Sequence, residues 1–300
     1  MRVGVLWTNL SLRELSKRLL ALGTPASRRT IRRLLRELRI GCRTARKKTS
    51  MGQHPERNAP FEAIQTRRAE YQAAGDPVIS IDTKKKELLG NYHRPGTTFT
   101  GQTVETFDHD FPKRGTQKLI PHGIYDLANN RASIHLNTSH DTSELCRDSI
   151  ALWWEEHGRA AYPDAKRLLI LCDGDGSNSA TQHLFKEDLK RLANQLGIEL
   201  RVAHYPPYGS KHNPIEHRVF PHITQACAGV IFHTLAIAKQ FIERAKTNTG
   251  LRVTVSLLDK VYATGRRCWD AAAAKAGILF DDHLPKWNYR AKPQTSKTGK

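Results

Sequence analysis

Three acidic residues sit where an α/β protein does chemistry. Asp82 lies inside an otherwise apolar strand segment, VISID, and Asp173 ends the run LLILCD. Glu216 falls in the first turn of an expected helix that follows a Gly/Pro-rich loop. In open α/β sheets, sites gather at strand ends and adjacent helix starts. Carboxylates gathered this way raise one another's proton affinity unless a cation joins them. Hard oxygen ligands suit Mg2+ or Mn2+. Two such ions about 3.5–4 Å apart clamp the attacking and leaving oxygens of an in-line phosphoryl displacement. Each acid also has a plainer role. Asp82 could pair with Lys84 or Lys85, and Asp173 with Gly174 could simply make a turn. Glu216 could complete a capping-box-like helix start, with Asn213 as N-cap and Pro214 at the first helical position.

The neighbours of the acids are basic or polar. Lys84, Lys85, Lys86 and Lys211 could neutralise scissile or flanking phosphates, or stand as ordinary solvated lysines. Asn178, Asn213, His217 and Arg218 are candidates to orient a carboxylate or a phosphate. His204, His212, His217 and His222 are close in sequence, but HNPIEH matches neither H-E-x-x-H nor H-x-x-E-H, so zinc hydrolysis is set aside. No G-x-S-x-G or Walker-type phosphate loop is present.

The elements that must position these groups read as follows. SLRELSKRLLAL (11–22) predicts a helix opened by a Ser11/Glu14 capping box. A second helix over about 28–39 turns Ile31, Leu34, Leu35 and Leu38 to one face and Arg28, Arg29, Arg32, Arg33 and Arg36 to the other. Two short helices across a Gly-containing turn make a helix-turn-helix pattern, the arginines being its DNA contacts. A basic linker and a helix fill 41–75. Strands then follow at 77–85, at 122–128 and 131–138 (a hairpin turned at Asn129–Asn130), at 167–173 and at 199–205. Helices are expected over 142–157, 181–196, 213–228 and 234–247, with Trp153 and Trp154 as core residues. This order fits an RNase H-like α/β core, a mixed sheet with helices on both faces, spanning 76–289 behind an all-α head at 1–40. A disordered basic tail is expected at 290–300.

Charge supports a nucleic-acid partner. The net charge is +19, and residues 1–60 alone carry 15 Lys and Arg against 3 Asp and Glu. Such a head favours polyphosphates, because each phosphate contact releases condensed counterions. The five cysteines are scattered with no C-x-x-C, which predicts reduced core thiols. No apolar stretch approaches a membrane span, and no secretion signal is read at the start.

Several stretches together are specific: PVISIDTKKKELLGNY (77–92), PHGIYDLANN (121–130), RLLILCDGDGSNS (167–179), HYPPYGSKHNPIEHRVFPHI (204–223) and WNY (287–289). Through them the chain resembles the DDE transposases of bacterial insertion sequences, in particular the Rhodopirellula-type branch, from about Trp7 to Tyr289. The resemblance implies a retroviral-integrase-like, RNase H-like core. It implies cut-and-join chemistry on transposon ends with Mg2+ or Mn2+ (two ions), and it carries the catalytic acids onto Asp82, Asp173 and Glu216. Double-stranded DNA, both terminal repeats and target, is the implied partner. Synapsis of two ends implies a homo-oligomer, and the setting is the bacterial cytoplasm. The family usually has Gly where this chain has Asp175, which leaves Asp175 as a second candidate ligand; Asp173 is preferred because it ends the strand. The family's S-K-W-N reads Ser210, Lys211, His212, Asn213 here. The chain starts inside the relatives' DNA-binding region, so an N-terminally truncated head is expected. Two alternatives share every residue named: a hydrolytic nuclease that cuts without joining, and a truncated copy that only binds DNA.

Overall fold

Runs of β-branched and aliphatic residues too short for helices, bounded by turn formers, become the strands of one sheet. The computed structural model describes residues 8–43, 58–109, 117–174, 183–206, 209–266 and 277–294. Asp175, Asn178, Cys268 and most of the expected basic linker lie outside them. The chain forms two compact units, residues 1–52 and 53–300.

In the first unit, α1 (Leu12–Ala21) starts at Ser11 with the reciprocal Ser11/Glu14 capping box, and α2 (Arg28–Glu37) is capped by Ser27. Ser16 Oγ donates to the Ala26 carbonyl and ties the two helices together. Ile31 is the buried residue of the pair, while Leu20, Leu22, Leu34 and Leu38 remain exposed. The leucine stripes therefore lack a covering element among the described residues. Among the described residues of this unit, two helices joined by a short turn stand as expected.

The second unit begins with α3 (Ala59–Ala73), followed by β1 (Val78–Thr83), β2 (Glu87–Leu88), β3 (Lys118–Asp126) and β4 (Arg131–Asn137). Next come α4 (Ser143–Trp153), a π-helical turn (Trp154–Gly158), α5 (Arg159–Ala161), β5 (Arg167–Asp173), α6 (His183–Leu196) and β6 (Glu199–Tyr205). A 3-10 turn (Ser210–His212) leads to α7 (Pro214–Arg218), α8 (Phe220–Ala226), α9 (Leu235–Ile242), β7 (Arg252–Leu257), β8 (Ile278–Phe280) and β9 (Asn288–Ala291).

The sheet order is β7-β4-β3-β1-β5-β6-β9-β8, with β2 pairing β3. β1, β5 and β6 run parallel to one another, and β3 runs antiparallel to β1. An antiparallel meander flanking a parallel trio, with the first strand beside the fourth long one, is the RNase H-like arrangement. Register sorts the side chains. One face carries Ile79, Ile81, Ile124, Ile170 and Val202 and is covered by α4 and α6 through Cys146, Ile150, Trp153, Phe185 and Leu189. The other carries Tyr125, Ile134, Leu169, Leu171 and Ala203. Ile64 and Tyr71 of α3 cover it on one side, and Ile215, Phe220 and Ile223 on the other.

The helix expected after the basic linker is α3, which packs into the core through Ile64 and Tyr71. Four expectations are revised. The helix expected over 213–228 is two, broken at Val219 (φ −124°) ahead of Pro221, whose ring disfavours continuing the turn. The 131–137 hairpin turns over four residues, with Asn130 at φ +48°, and its first strand starts at Lys118. The basic tail begins later, since Arg290 and Ala291 belong to β9. Cys146, Cys172 and Cys227 are buried free thiols, but Cys42 is exposed.

Candidate active site

The parallel register between β1 and β5 pairs Ser80 with Leu171. Carried two residues further, it sets Asp82 beside Asp173 at the carboxyl ends of both strands. Alternation puts Ser80 and Asp82 on the face that meets α7. α7 has only five residues, too few for a helix to persist alone, so its position depends on what it touches.

Two devices fix it. The first is a buried clamp onto β1. Ser80 Oγ donates to Asn213 Oδ1 at 2.5 Å, Asn213 Nδ2 donates to the Ile81 carbonyl at 3.0 Å, and the Ile215 N–H donates to Ser80 Oγ at 3.0 Å. Asn213 is wholly buried, and its side chain makes no capping bond to its own helix. The capping-box-like role expected for this start is therefore corrected: a strand far away in sequence takes the Asn213 amide. The second device is a vacancy. Asp82 pairs with Gly123 across β1 and β3. A Cβ on Gly123 would stand 2.7 Å from Ile215 Cδ1 and 2.9 Å from Phe220 Cε1. Ile215, fully buried there, contributes roughly 1.5–3 kcal/mol to seating α7.

The result is that Glu216 reaches Asp82. Burial first, then the Glu216 charge and the hydrogen bond that protonated Asp82 donates to the Glu216 carboxylate, with a smaller push from Asp173, raise the Asp82 carboxyl to about 8. All three acids are half-buried. Asp82 Oδ1 accepts from the Thr83 N–H and Asp173 Oδ1 from the Gly174 N–H, both at 2.7 Å. Asp82 and Glu216 form the close pair, and Asp173 acts on Asp82 through charge. Among the described residues, no three His, Cys, Asp or Glu side chains form a finished ion cage. The donor set still fits a hard divalent cation: oxygen ligands only, mutually repelling, and open to solvent on one side.

The basic candidates divide. Lys84 is buried, its Nζ 2.6 Å from Glu87, which also takes Arg94 at 2.8 Å. Lys86 is 3.7 Å from Asp141. Lys85, Lys86 and a residue the sequence did not single out, Lys118, line a recess of about 530 Å3 beside the site. Lys211, His217 and Arg218 are exposed around α7, with Arg218 at 3.5 Å from the Tyr125 hydroxyl. Arg28, Arg29, Arg32, Arg33 and Arg36 are exposed on α2, Arg33 being paired with Glu37 at 2.9 Å. Ser80 and Gly123 were missed as well. The signal for Gly123 was available: a lone glycine inside a strand pattern marks close approach of another backbone or side chain.

The family profile described as Rhodopirellula transposase DDE domain matches residues 1–293. The chain belongs to this family. No curated protein matches this transposase-family chain. Among solved structures, one titled "Crystal structure of a pre-cleavage Mos1 transpososome" is 14% identical, covering 81% of this chain and 72% of that one at a TM-score of 0.49. Another, "Mos1 transposase paired-end complex with left transposon end", has the same identity and coverage at a TM-score of 0.48. For "Crystal structure of the Mos1 mariner paired end complex with Mn" the identity is 15%, the coverage 80% and 72%, and the TM-score 0.46. The fold of this transposase-family core rests on its own strand order and register.

Proposed function

We propose that this chain is a DNA strand transferase that cuts phosphodiesters at transposon ends and joins the freed 3′ ends to target DNA. Asp82, Asp173 and Glu216 would hold two divalent cations, Mg2+ or Mn2+. When bound, such ions supply Lewis-acid activation and charge neutralisation at the attacking and leaving oxygens. The observation that carries the reading is the meeting of Glu216 with Asp82, at a cost in carboxylate repulsion, on a helix clamped by Ser80 and Asn213. A protein gains nothing in stability from buried, mutually repelling acids.

The chain's own groups divide the remaining work. Ser80, Asn213 and Gly123 set the distance between α7 and β1. Lys85, Lys86, Lys118, Lys211 and Arg218 supply cations at the rim for the phosphates flanking the scissile bond. His217 is a candidate to orient a phosphate beside Glu216. The arginines of α2 would hold double-stranded DNA, and two transposon ends would call for a homo-oligomer.

The test is a labelled duplex of the element's own end, incubated with Mg2+ or Mn2+ and followed on a denaturing gel. Metal-dependent nicking plus joined product is expected, abolished in Asp82→Asn, Asp173→Asn and Glu216→Gln and kept in Asp175→Asn. Nicking without joining would make the chain a hydrolytic nuclease. Salt-sensitive binding without nicking in every variant would sink the enzyme reading.

A further inference from the structure

The Trp287–Asn288–Tyr289 segment stood out in the sequence but has no part in the carboxylate cluster. It leads into and forms β9, the last strand but one of the sheet, which pairs antiparallel with β6 so that Val202 faces Tyr289. Tyr289 is fully buried, and its hydroxyl is 2.9 Å from His204 Nε2. His204, also buried, places Nδ1 3.0 Å from the backbone carbonyl of Asp173 and 3.3 Å from Cys172 Sγ. A carbonyl can only accept, so Nδ1 carries the proton and donates to Asp173. Nε2 is then the acceptor, and the Tyr289 hydroxyl donates to it. The bond at one ring nitrogen thereby fixes the tautomer at the other.

The same segment holds Asp173 from a second side. The His204 N–H donates to the Trp287 carbonyl at 2.9 Å. A Cβ on Gly174 would stand 2.9 Å from Trp287 Cζ3, so this ring closes over the residue that follows Asp173. His204 lies on the opposite face of β5 from the Asp173 carboxylate, because it shares its face with Cys172. It therefore bonds to the backbone of Asp173, on the side of the strand away from its carboxylate.

We propose that Tyr289 and His204 form a buried positioning relay that fixes the backbone, and hence the carboxylate direction, of Asp173. Trp287 closes the other side, so this C-terminal segment is part of the support of the active site. The inference rests on Asp173 being a metal-binding carboxylate. Groups that orient a metal-binding residue commonly matter about 10–100-fold when removed.

The test compares wild type with Tyr289→Phe, which keeps the ring and deletes the hydroxyl. In metal-free protein, long-range proton–nitrogen NMR should show His204 protonated at Nδ1 with Nε2 as acceptor, and Tyr289→Phe, which leaves the Asp173 carbonyl in place, should shift the Nε2 resonance toward that of an unbonded ring nitrogen. Mn2+ binding, read by electron paramagnetic resonance, should weaken at least several-fold, and joining at saturating metal should fall about tenfold while the melting temperature moves little. His204→Asn, which keeps a donor near the Nδ1 position, should retain more joining than His204→Ala. An unchanged Nε2 resonance with unchanged Mn2+ affinity in Tyr289→Phe overturns the relay. So does a loss of joining that merely tracks the folded fraction. If Asp173→Asn binds Mn2+ as tightly as wild type, the carboxylate reading falls instead, and the tautomer spectra judge the hydrogen-bond relay separately.

Discussion

Asp82 on β1 and Gly123 on β3 face each other across the sheet, and the side chain Gly123 lacks is the space Ile215 occupies. The acid and the helix that brings Glu216 to it are thus set by one register pair. Gly123→Ala places a methyl 2.7 Å from Ile215 Cδ1. It should cost about 1–3 kcal/mol in denaturant melts, as overpacking does, and lower metal-dependent cleavage more than tenfold in protein that is still folded. Full activity in folded Gly123→Ala would show that α7 does not need this seat.

The Ser80–Asn213 clamp predicts non-additivity. Ser80→Ala strands the Asn213 carbonyl, and Asn213→Ala leaves the Ser80 hydroxyl without its acceptor. Each should cost about 1–3 kcal/mol, because a buried partner is orphaned. The double variant should cost clearly less than the two combined, since the shared bond is lost once. Additive losses in urea melts would mean that the two residues act independently.

Asp82 trades stability for chemistry. Its carboxyl is raised to about 8 by burial, Glu216 and Asp173. The folded state therefore holds this proton more tightly than the unfolded chain does. The stabilising protonated form is complete below the unfolded value, near 4, and its contribution is lost as pH rises through about 8. Asp82→Asn, neutral at every pH, should melt higher than wild type at pH 7–8 without divalent metal, by about 2–4 °C per kcal/mol relieved, while cleaving nothing. A lower melting temperature would contradict the electrostatic account. By the same linkage, Mn2+ binding to wild type should weaken by up to tenfold for each pH unit that the pH falls below about 8, because each bound ion must displace the proton.

Two histidines predict acid sensitivity. His122 and His135 face each other across β3 and β4, wholly buried, and their four ring nitrogens have no hydrogen-bond partner among the described residues. Burial lowers His122 to about 4, against a weak opposing pull from Asp141, and His135 to about 3, with His122 and His157 adding to the shift. Their folded values lie below the unfolded one, so their contribution is present above about 6.5 and is lost as pH falls toward 4. Each costs up to about 1.4 kcal/mol per pH unit in that window. His135→Leu should flatten the fall in melting temperature between pH 6.5 and 4.5; an unchanged slope would mean that the pair does not titrate on unfolding.

What the sequence disclosed follows from range. The Ser11/Glu14 box, the strand at 167–173 with its continuous apolar run 168–172, and the burial of Trp153 and Trp154 are set by local pattern, and they stand as read. Asn213 was misread because the local grammar of N-caps describes a side chain competing only with its own helix. The competitor was Ser80, 133 positions away. β7 escaped notice because an edge strand is half-exposed and lacks a continuous apolar signature. β8 and β9 are too short to announce themselves, with three and four residues. The clustering of Asp82 with Asp173 was legible once a fold order was assumed. The tighter contact with Glu216 was not, since it depends on a glycine vacancy.

The clamp between Ser80 and Asn213 also has a meaning in time. It joins residues 133 positions apart, and the parallel pairing of β1 with β5 already spans about 90. On a ribosome adding about 5–20 residues per second, the first strand waits on the order of ten seconds before the helix that completes its site is made. No shorter fragment contains both halves, and such non-local closure is slow.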